Sequence, residues 1–353
     1  MKDLETILRE LIANDGPIPL SDYMRLCLLH PEHGYYATHD PLGAAGDFVT
    51  APEISQMFGE LIGLALAQAW LDQGAPKPFT LAELGPGRGT LMADALRATR
   101  AVPGFHDAAQ VHMVEVSSTL RGCQQQALKN HRVAWVASAD ALPDQPLFLV
   151  ANEFFDALPI RQYVRCDDSW RERRVGLKDD ALTFGLAPPA PLTALDDRLE
   201  DTRDGDLVEH CPSAAPILQA IGGRIAEHGG GALIIDYGDW RSLGDTFQAL
   251  RAHERTNPLE TPGKSDLTAH VDFAALAQAA PCAHSRLTPQ GVFLERLGIT
   301  QRAQALARNL TGEALETHIA AHRRLTHGAE MGTLFKVMGL YPEGAAPPPG
   351  LEP

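Results

Sequence analysis

No apolar run in this 353-residue sequence approaches the length that crosses a bilayer, about 20 residues. Met1-Lys2-Asp3-Leu4-Glu5 shows no charged-then-apolar leader, and its acids argue against an organelle presequence. These absences predict a cytoplasmic protein with no membrane partner. Positive charge is also scarce. Lys and Arg number 30 against 45 Asp and Glu, a formal net charge of -15, which disfavours nucleic acid and anionic lipid and is compatible with a basic peptide. The five cysteines (Cys27, Cys123, Cys166, Cys211, Cys282) form no C-x-x-C pair, which suits reduced thiols better than a disulfide framework or a zinc site. His30 and His33 flank Pro31 and precede Gly34, a helix end and not a metal-binding face, and H-E-x-x-H does not occur. No metal is expected. Internal repeats are absent, and so is the G-x-S-x-G elbow of a covalent hydrolase.

What is present is an ordinary globular composition, 44% hydrophobic, with enough apolar side chains for a substantial core. Leu4, Ile7, Leu8, Leu11 and Ile12 recur at helical spacing, and Gly16-Pro17 ends that helix. Ser21 is placed to cap a second helix, which stops near Pro31. A long helix is expected over 51–71, with Thr50 and Glu53 as a capping box. From Phe79 the pattern alternates between strands (79–84, 111–116, 133–136, 147–151) and helices (90–100, 117–129), which predicts a doubly wound α/β domain. Residues 161–186 alternate polar and apolar like exposed antiparallel strands, 232–235 and 333–338 restore buried ones, and 300–327 is helical in composition.

The most informative segment is Glu83-Leu84-Gly85-Pro86-Gly87-Arg88-Gly89, between a strand and a helix. Glycines are needed where backbone turns sharply and approaches a ligand with no Cβ in the way. The spacing is G-x-G-x-G, whereas the pyrophosphate fingerprint is G-x-G-x-x-G, which disfavours a dehydrogenase. Glu83 precedes the first glycine by two positions, where its charge would repel a phosphate but attract a cation. The sulfonium and ammonium of S-adenosylmethionine fit that charge. Glu115, ending the next strand, is placed to accept both ribose hydroxyls. Asp140, after the third strand, is placed to accept the adenine amino group.

Longer stretches resemble the MidA-like family of class I methyltransferases, which includes the mitochondrial complex I assembly-factor methyltransferase and many bacterial relatives. The matching runs are 46–56, 83–92, Glu115-Val116-Ser117, 151–159, 234–238, 266–273 and 332–337, spread over nearly the whole chain. The resemblance implies a Rossmann-like class I methyltransferase sheet with a helical N-terminal lobe and inserted segments. The expected divisions are a helical lobe with a cofactor-covering loop over 1–75, a methyltransferase domain over 76–340 with insertions at about 160–230 and 239–330, and a loose Pro/Gly-rich tail over 341–353. The loop over 47–53 is then expected to fold over the cofactor with Phe48 and Thr50 facing it. The resemblance also implies protein arginine methylation for the mitochondrial member.

Asn152-Glu153-Phe154-Phe155-Asp156 follows the fourth strand, at the usual mouth of the acceptor site in this fold. Asn152 is assigned to the cofactor, with Glu83, Gly85, Pro86, Gly87, Gly89, Glu115, Asp140 and Thr50. Glu153 and Asp156 are assigned to catalysis: carboxylates bind a guanidinium or amine, orient it and accept its proton. Asp236-Tyr237 and Thr268-Ala269-His270 are further candidates to line the acceptor site. The expected function is S-adenosylmethionine-dependent methylation of a protein side chain such as arginine, with a homodimer as a possible assembly. The alternatives are small-molecule methylation and a non-catalytic assembly or chaperone-like protein that retains the fold.

Overall fold

The structure is a computed structural model and describes residues 2–38, 50–252 and 254–353. It divides into two compact units, one of Met1–Phe48, Asp156–Ala214 and Arg241–Asp272, the other of Val49–Phe155, Ala215–Trp240 and Phe273–Pro353. This redraws the expected boundaries. Helix Gln56–Asp72 groups with the sheet and not with the N-terminal helices, and residues 273–330, expected to be part of an insertion, also group with the sheet.

The second unit is a twisted sheet with strands β1 (Phe79–Leu84), β2 (Ala109–Val114), β3 (Val133–Val136), β4 (Leu147–Asn152), β5 (Gly230–Asp239) and β6 (Phe335–Tyr341). Their spatial order is β3-β2-β1-β4-β5-β6, and the short strand Ala283–His284 extends the β6 edge. Neighbours are parallel up to β5, while β6 runs antiparallel to it. The order reverses direction at β1, which has β2 on one side and β4 on the other. Such a switch point opens a crevice beyond the carboxyl ends of the strands. β1 and β4 are buried along their whole length. That burial explains why β4 reads as a nearly continuous apolar run and not as an alternation.

One core underlies this sheet, with Trp70, Phe79 and Phe105 in mutual ring contact and Phe148 edge-on to Phe79. Helix Gln56–Asp72 is apolar nearly all round and crosses helix Thr90–Ala98 closely. Gly59 and Gly63, one turn apart, make that approach possible: a Cβ on Gly63 would lie 2.5 Å from Ala95 Cα. The predicted 51–71 helix is broken. Helix Ala51–Ile54 ends at Ser55, which is extended (φ -160°, ψ 136°) and caps the longer helix through the N–H of Met57. Leu351 packs into the core, and Glu352 O accepts from Arg286 N at 2.9 Å. The tail expected to be loose is therefore docked.

The first unit holds helices Leu4–Asp15 and Leu20–Leu29 against an antiparallel sheet. Pro19, not Ser21, occupies the N-cap of the second helix, with no side-chain capping bond. The sheet runs in the order Ile18–Pro19, Ser169–Lys178, Arg161–Cys166, Leu207–His210, and Ala181–Leu186 also pairs with Ser169–Lys178. The alternation over 161–186 predicts antiparallel strands, and they are present, but Arg161–Cys166 and Ser169–Lys178 are largely buried or half-buried instead of exposed. A three-stranded sheet, Glu254–Thr256, Gln248–Arg251 and Asp266–Thr268, completes the unit. Among the described residues, no helix is long and apolar enough to cross a membrane.

Candidate active site

Strand register sets the level of the site residues in the second unit. Leu84 lies opposite Val114 on one side and Ala151 on the other. Gly85 and Glu115, each one residue beyond its strand, and Asn152, the last residue of β4, therefore stand level at the switch point. Gly85 N–H donates to Val114 O at 3.1 Å and Glu115 N–H to Val136 O at 3.0 Å, which carries the ladder one residue past the assigned strands.

The glycine turn needs its glycines for conformation as well as space. Gly85, Gly87 and Gly89 have φ of 57°, 52° and 83°, the left-handed region that other residues enter at a cost. Gly89 N–H closes the turn on Pro86 O at 2.7 Å, and helix Thr90–Ala98 starts there. A Cβ on Gly85 would meet the Phe154 ring at 2.7 Å.

Glu83 is 3% exposed and its buried Oε2 has no hydrogen-bond partner among the described residues. Burial holds its carboxyl well above the ordinary carboxylate range, while the N–H of Met92 pulls the other way. Glu115 is also buried and shifted upward by desolvation, opposed by hydrogen bonds from Ser117 N–H (Oε1, 2.7 Å) and Gln124 (Oε2, 3.1 Å). Asn152 is buried with Oδ1 lacking a partner among the described residues, and its Nδ2 donates to Glu153 Oε1 at 3.3 Å. A buried polar atom left unsatisfied costs stability, and such atoms gather where a ligand supplies the missing partner. Glu83 and Asn152 hold two of them at one end of the sheet.

Asp140 lies in the short turn Ala139–Ala141, exposed, and its backbone carbonyl accepts from Arg224 at 2.8 Å. Thr50 sits at the N-cap of Ala51–Ile54 but makes no side-chain cap. The expected capping box is not formed, because Glu53 Oε1 accepts instead from Thr90 Oγ1 at 2.5 Å. Asp47, Phe48 and Val49, part of the expected covering loop, lie outside the described residues.

Glu153 adopts φ 50°, and its Oε1 accepts the backbone N–H of Ala51 at 3.1 Å. Asp236, fully buried at 0% exposure, holds the following turn: its Oδ2 accepts the N–H of Phe154 (3.2 Å) and Phe155 (3.0 Å). The sequence placed Asp236 only as a candidate lining residue, and its grip on this turn could not be read there. Tyr237 begins the chain's exit from the buried part of β5, with its ring edge-on to Phe335.

Asp156 belongs to the first unit and is buried. Its backbone carbonyl accepts from Ala269 N–H at 3.0 Å. Tyr36 OH donates to Asp266 Oδ1 at 3.0 Å, and burial together with Asp266 and Asp156 pushes the phenol far above its ordinary value. Tyr36 and Asp266 had no assigned role in the sequence reading. Thr268 is buried, and the His270 N–H donates to Thr246 Oγ1 at 2.8 Å.

A family profile described as "Putative S-adenosyl-L-methionine-dependent methyltransferase" matches residues 61–292. The chain belongs to this family. It is similar to the mitochondrial protein arginine methyltransferase NDUFAF7 of Xenopus tropicalis, 38% identical over 94% of this chain and 84% of that protein. The Homo sapiens protein of the same name is 35% identical over 94% of this chain and 81% of its own length. A solved structure from Burkholderia thailandensis, titled a "likely methyl transferase" bound to S-adenosyl-homocysteine, matches with TM-score 0.81 at 30% identity, covering 97% of this chain and 93% of that one. The chain is thus an S-adenosylmethionine-dependent methyltransferase on a Rossmann-like sheet. The expectation of a cytoplasmic protein is overturned by the mitochondrial names of these relatives. The acids at Asp3 and Glu5 carry no information on compartment strong enough to stand against them.

Proposed function

We propose that this methyltransferase methylates a protein side chain, with arginine the acceptor that the charge chemistry fits best. The observation that carries the donor half is the buried Oε2 of Glu83, without a partner among the described residues and beside a turn of left-handed glycines. When bound, S-adenosylmethionine supplies an electrophilic methyl group on a sulfonium. The glycine turn lets backbone approach the ligand, and Glu83 accepts from its ammonium. Glu115 accepts from the ribose hydroxyls, each of its oxygens already fixed by one protein donor. Asn152 Oδ1 offers a second buried acceptor, Pro86 holds the turn closed, and the exposed Asp140 and the half-buried Thr50 border the adenine and the covering segment.

Methyl transfer is an in-line displacement, so the protein's task is alignment and the exclusion of water. For an arginine acceptor it must also hold a cation and take one proton. Glu153 supplies a carboxylate in the second unit. In the first unit Asp156 is buried beside Tyr36, whose hydroxyl bonds to Asp266. Each is proposed as a guanidinium-binding group, because carboxylates match the fork of arginine N–H donors. The acceptor half is supported by the names of relatives that are 34–38% identical over most of the chain. The net charge of -15 favours a basic protein segment over nucleic acid or anionic membrane, and a homodimer is the assembly to test by light scattering.

The reading is tested by incubating the protein with methyl-labelled S-adenosylmethionine and lysate from a strain lacking its gene, then hydrolysing the labelled fraction. Label recovered as methylarginine supports it. Label confined to a small molecule replaces the acceptor, and no label despite bound cofactor makes the protein a non-catalytic binder.

A further inference from the structure

The helix Ser118–Ala127 presents a polar side chain where its buried stripe should be apolar: its two buried residues are Leu120 and Gln124, one turn apart. Gln124 is 0% exposed. Its Nε2 donates to Gly87 O at 2.8 Å and to Glu115 Oε2 at 3.1 Å, and its Oε1 accepts from Trp135 Nε1 at 2.8 Å. The indole N–H is a donor only, so the amide oxygen must face Trp135 and the NH2 must face the carbonyl and the carboxylate. One orientation of this side chain satisfies all three partners. The backbone fits as closely: a Cβ on Gly89 would lie 3.4 Å from both Gln124 Cα and Cγ. The same helix grips Glu115 a second time, through Arg121 Nε donating to its carbonyl at 2.8 Å.

We propose that Gln124 is a positioning residue of the methyl-donor site, which locks the Glu115 carboxylate and the Gly87 peptide in one fixed relation. This inference rests on the reading of Glu115 as the ribose-binding group. Gln124 donates one hydrogen to each element, and Trp135 fixes which way those donors point. With Ser117 N–H on Oε1 and Gln124 on Oε2, the carboxylate is held at both oxygens and keeps lone pairs on each for the two ribose hydroxyls. A carboxylate free to rotate could not present both oxygens without an ordering cost at each binding event. Gln124 therefore matters most where the ribose hydroxyls meet Glu115, and less at the glycine turn, whose shape its own glycines and the Gly89–Pro86 hydrogen bond already set.

The test compares S-adenosylhomocysteine with its 2′-deoxyadenosyl analogue by calorimetry on the full chain. A charge-assisted hydrogen bond predicts that the wild type prefers the first by about ten-fold or more. Gln124→Met, matched in volume and without donors, should cut that preference to about two- or three-fold while changing affinity for the deoxy analogue little. Glu115→Gln should lower the same preference. A preference kept in Gln124→Met but lost in Glu115→Gln overturns the role of Gln124. A preference kept in Glu115→Gln overturns the ribose reading itself. Equal loss for both ligands in Gln124→Met means a merely structural residue and also overturns the inference. If Gln124→Met does not fold, Trp135→Phe, which removes the orienting N–H together with part of the ring, is judged by the same ratio, which a packing loss alone would not move.

Discussion

Glu153 accepts the backbone N–H of Ala51 at 3.1 Å, across a sequence separation of 102 residues. The contact ties the turn after β4 to the start of helix Ala51–Ile54, and Glu53 ties the other end of that helix to Thr90. Glu153 thus anchors the segment through Oε1 beside the carboxyl end of β4.

Glu153→Gln separates this anchoring from the proposed acceptor role, since an amide oxygen still accepts from Ala51 but neither carries charge nor takes a proton. If the carboxylate serves the acceptor, the turnover rate falls by about 100-fold or more, the lower range for a lost general base, with cofactor affinity unchanged. Steady-state kinetics beside calorimetry measures both. Wild-type turnover would reduce Glu153 to an anchor.

Glu83 makes cofactor binding dependent on pH. Its carboxyl is raised by burial above its ordinary value of 4.5, so between that value and its folded pKa the folded chain holds a proton that the unfolded chain has lost. The stability of the unliganded protein therefore falls as pH rises through this window. A cationic ligand favours the ionised form, so binding releases a proton there and affinity rises with pH. Titrations in buffers of different ionisation enthalpy would detect the release. Glu83→Gln should remove its share and leave only the contribution of Glu115.

The close helix crossing in the second unit has no room for a methyl group at Gly63, where a Cβ would lie 2.5 Å from Ala95 Cα and 2.7 Å from its Cβ. Gly63→Ala should destabilise the protein by about 1–3 kcal/mol, as overpacking does, although alanine is the better helix former. Thermal unfolding decides this, and an unchanged or raised melting temperature would show that the helices separate freely.

Leu351, 9% exposed, seals the core from the C-terminal side. Leu351→Ala should cost about 1.5–3 kcal/mol, the value of one buried leucine side chain. A loose tail would give no effect in the same denaturation experiment.

Much of this fold is legible in the sequence because parallel strands buried on both faces read as short apolar runs. Strand 79–84, buried throughout, has the predicted bounds, and so does 133–136 at the sheet edge, although it is only partly buried. The glycine turn was legible for a similar reason, since few residues other than glycine enter its backbone conformation. The two-unit division was not, because it joins three separated stretches of chain whose contacts leave no local pattern. The break at Ser55 was hidden by an apolar periodicity that runs on through it. Gln124 did leave a trace, a polar residue one turn from Leu120 on the buried stripe, but that stripe is identifiable only once the helix has a partner. The hold of Asp236 on the N–H groups of Phe154 and Phe155 spans more than 80 residues and required the β4–β5 pairing to be known.

The most direct test of the donor site is a calorimetric titration of S-adenosylmethionine into the wild type and into Glu83→Gln at neutral pH, with the melting temperature of each measured alongside. The buried carboxylate predicts a loss of about 1.5–3 kcal/mol, ten- to a hundred-fold in affinity, in a variant that remains as stable as the parent or more so. Equal affinity in the two proteins would contradict the account.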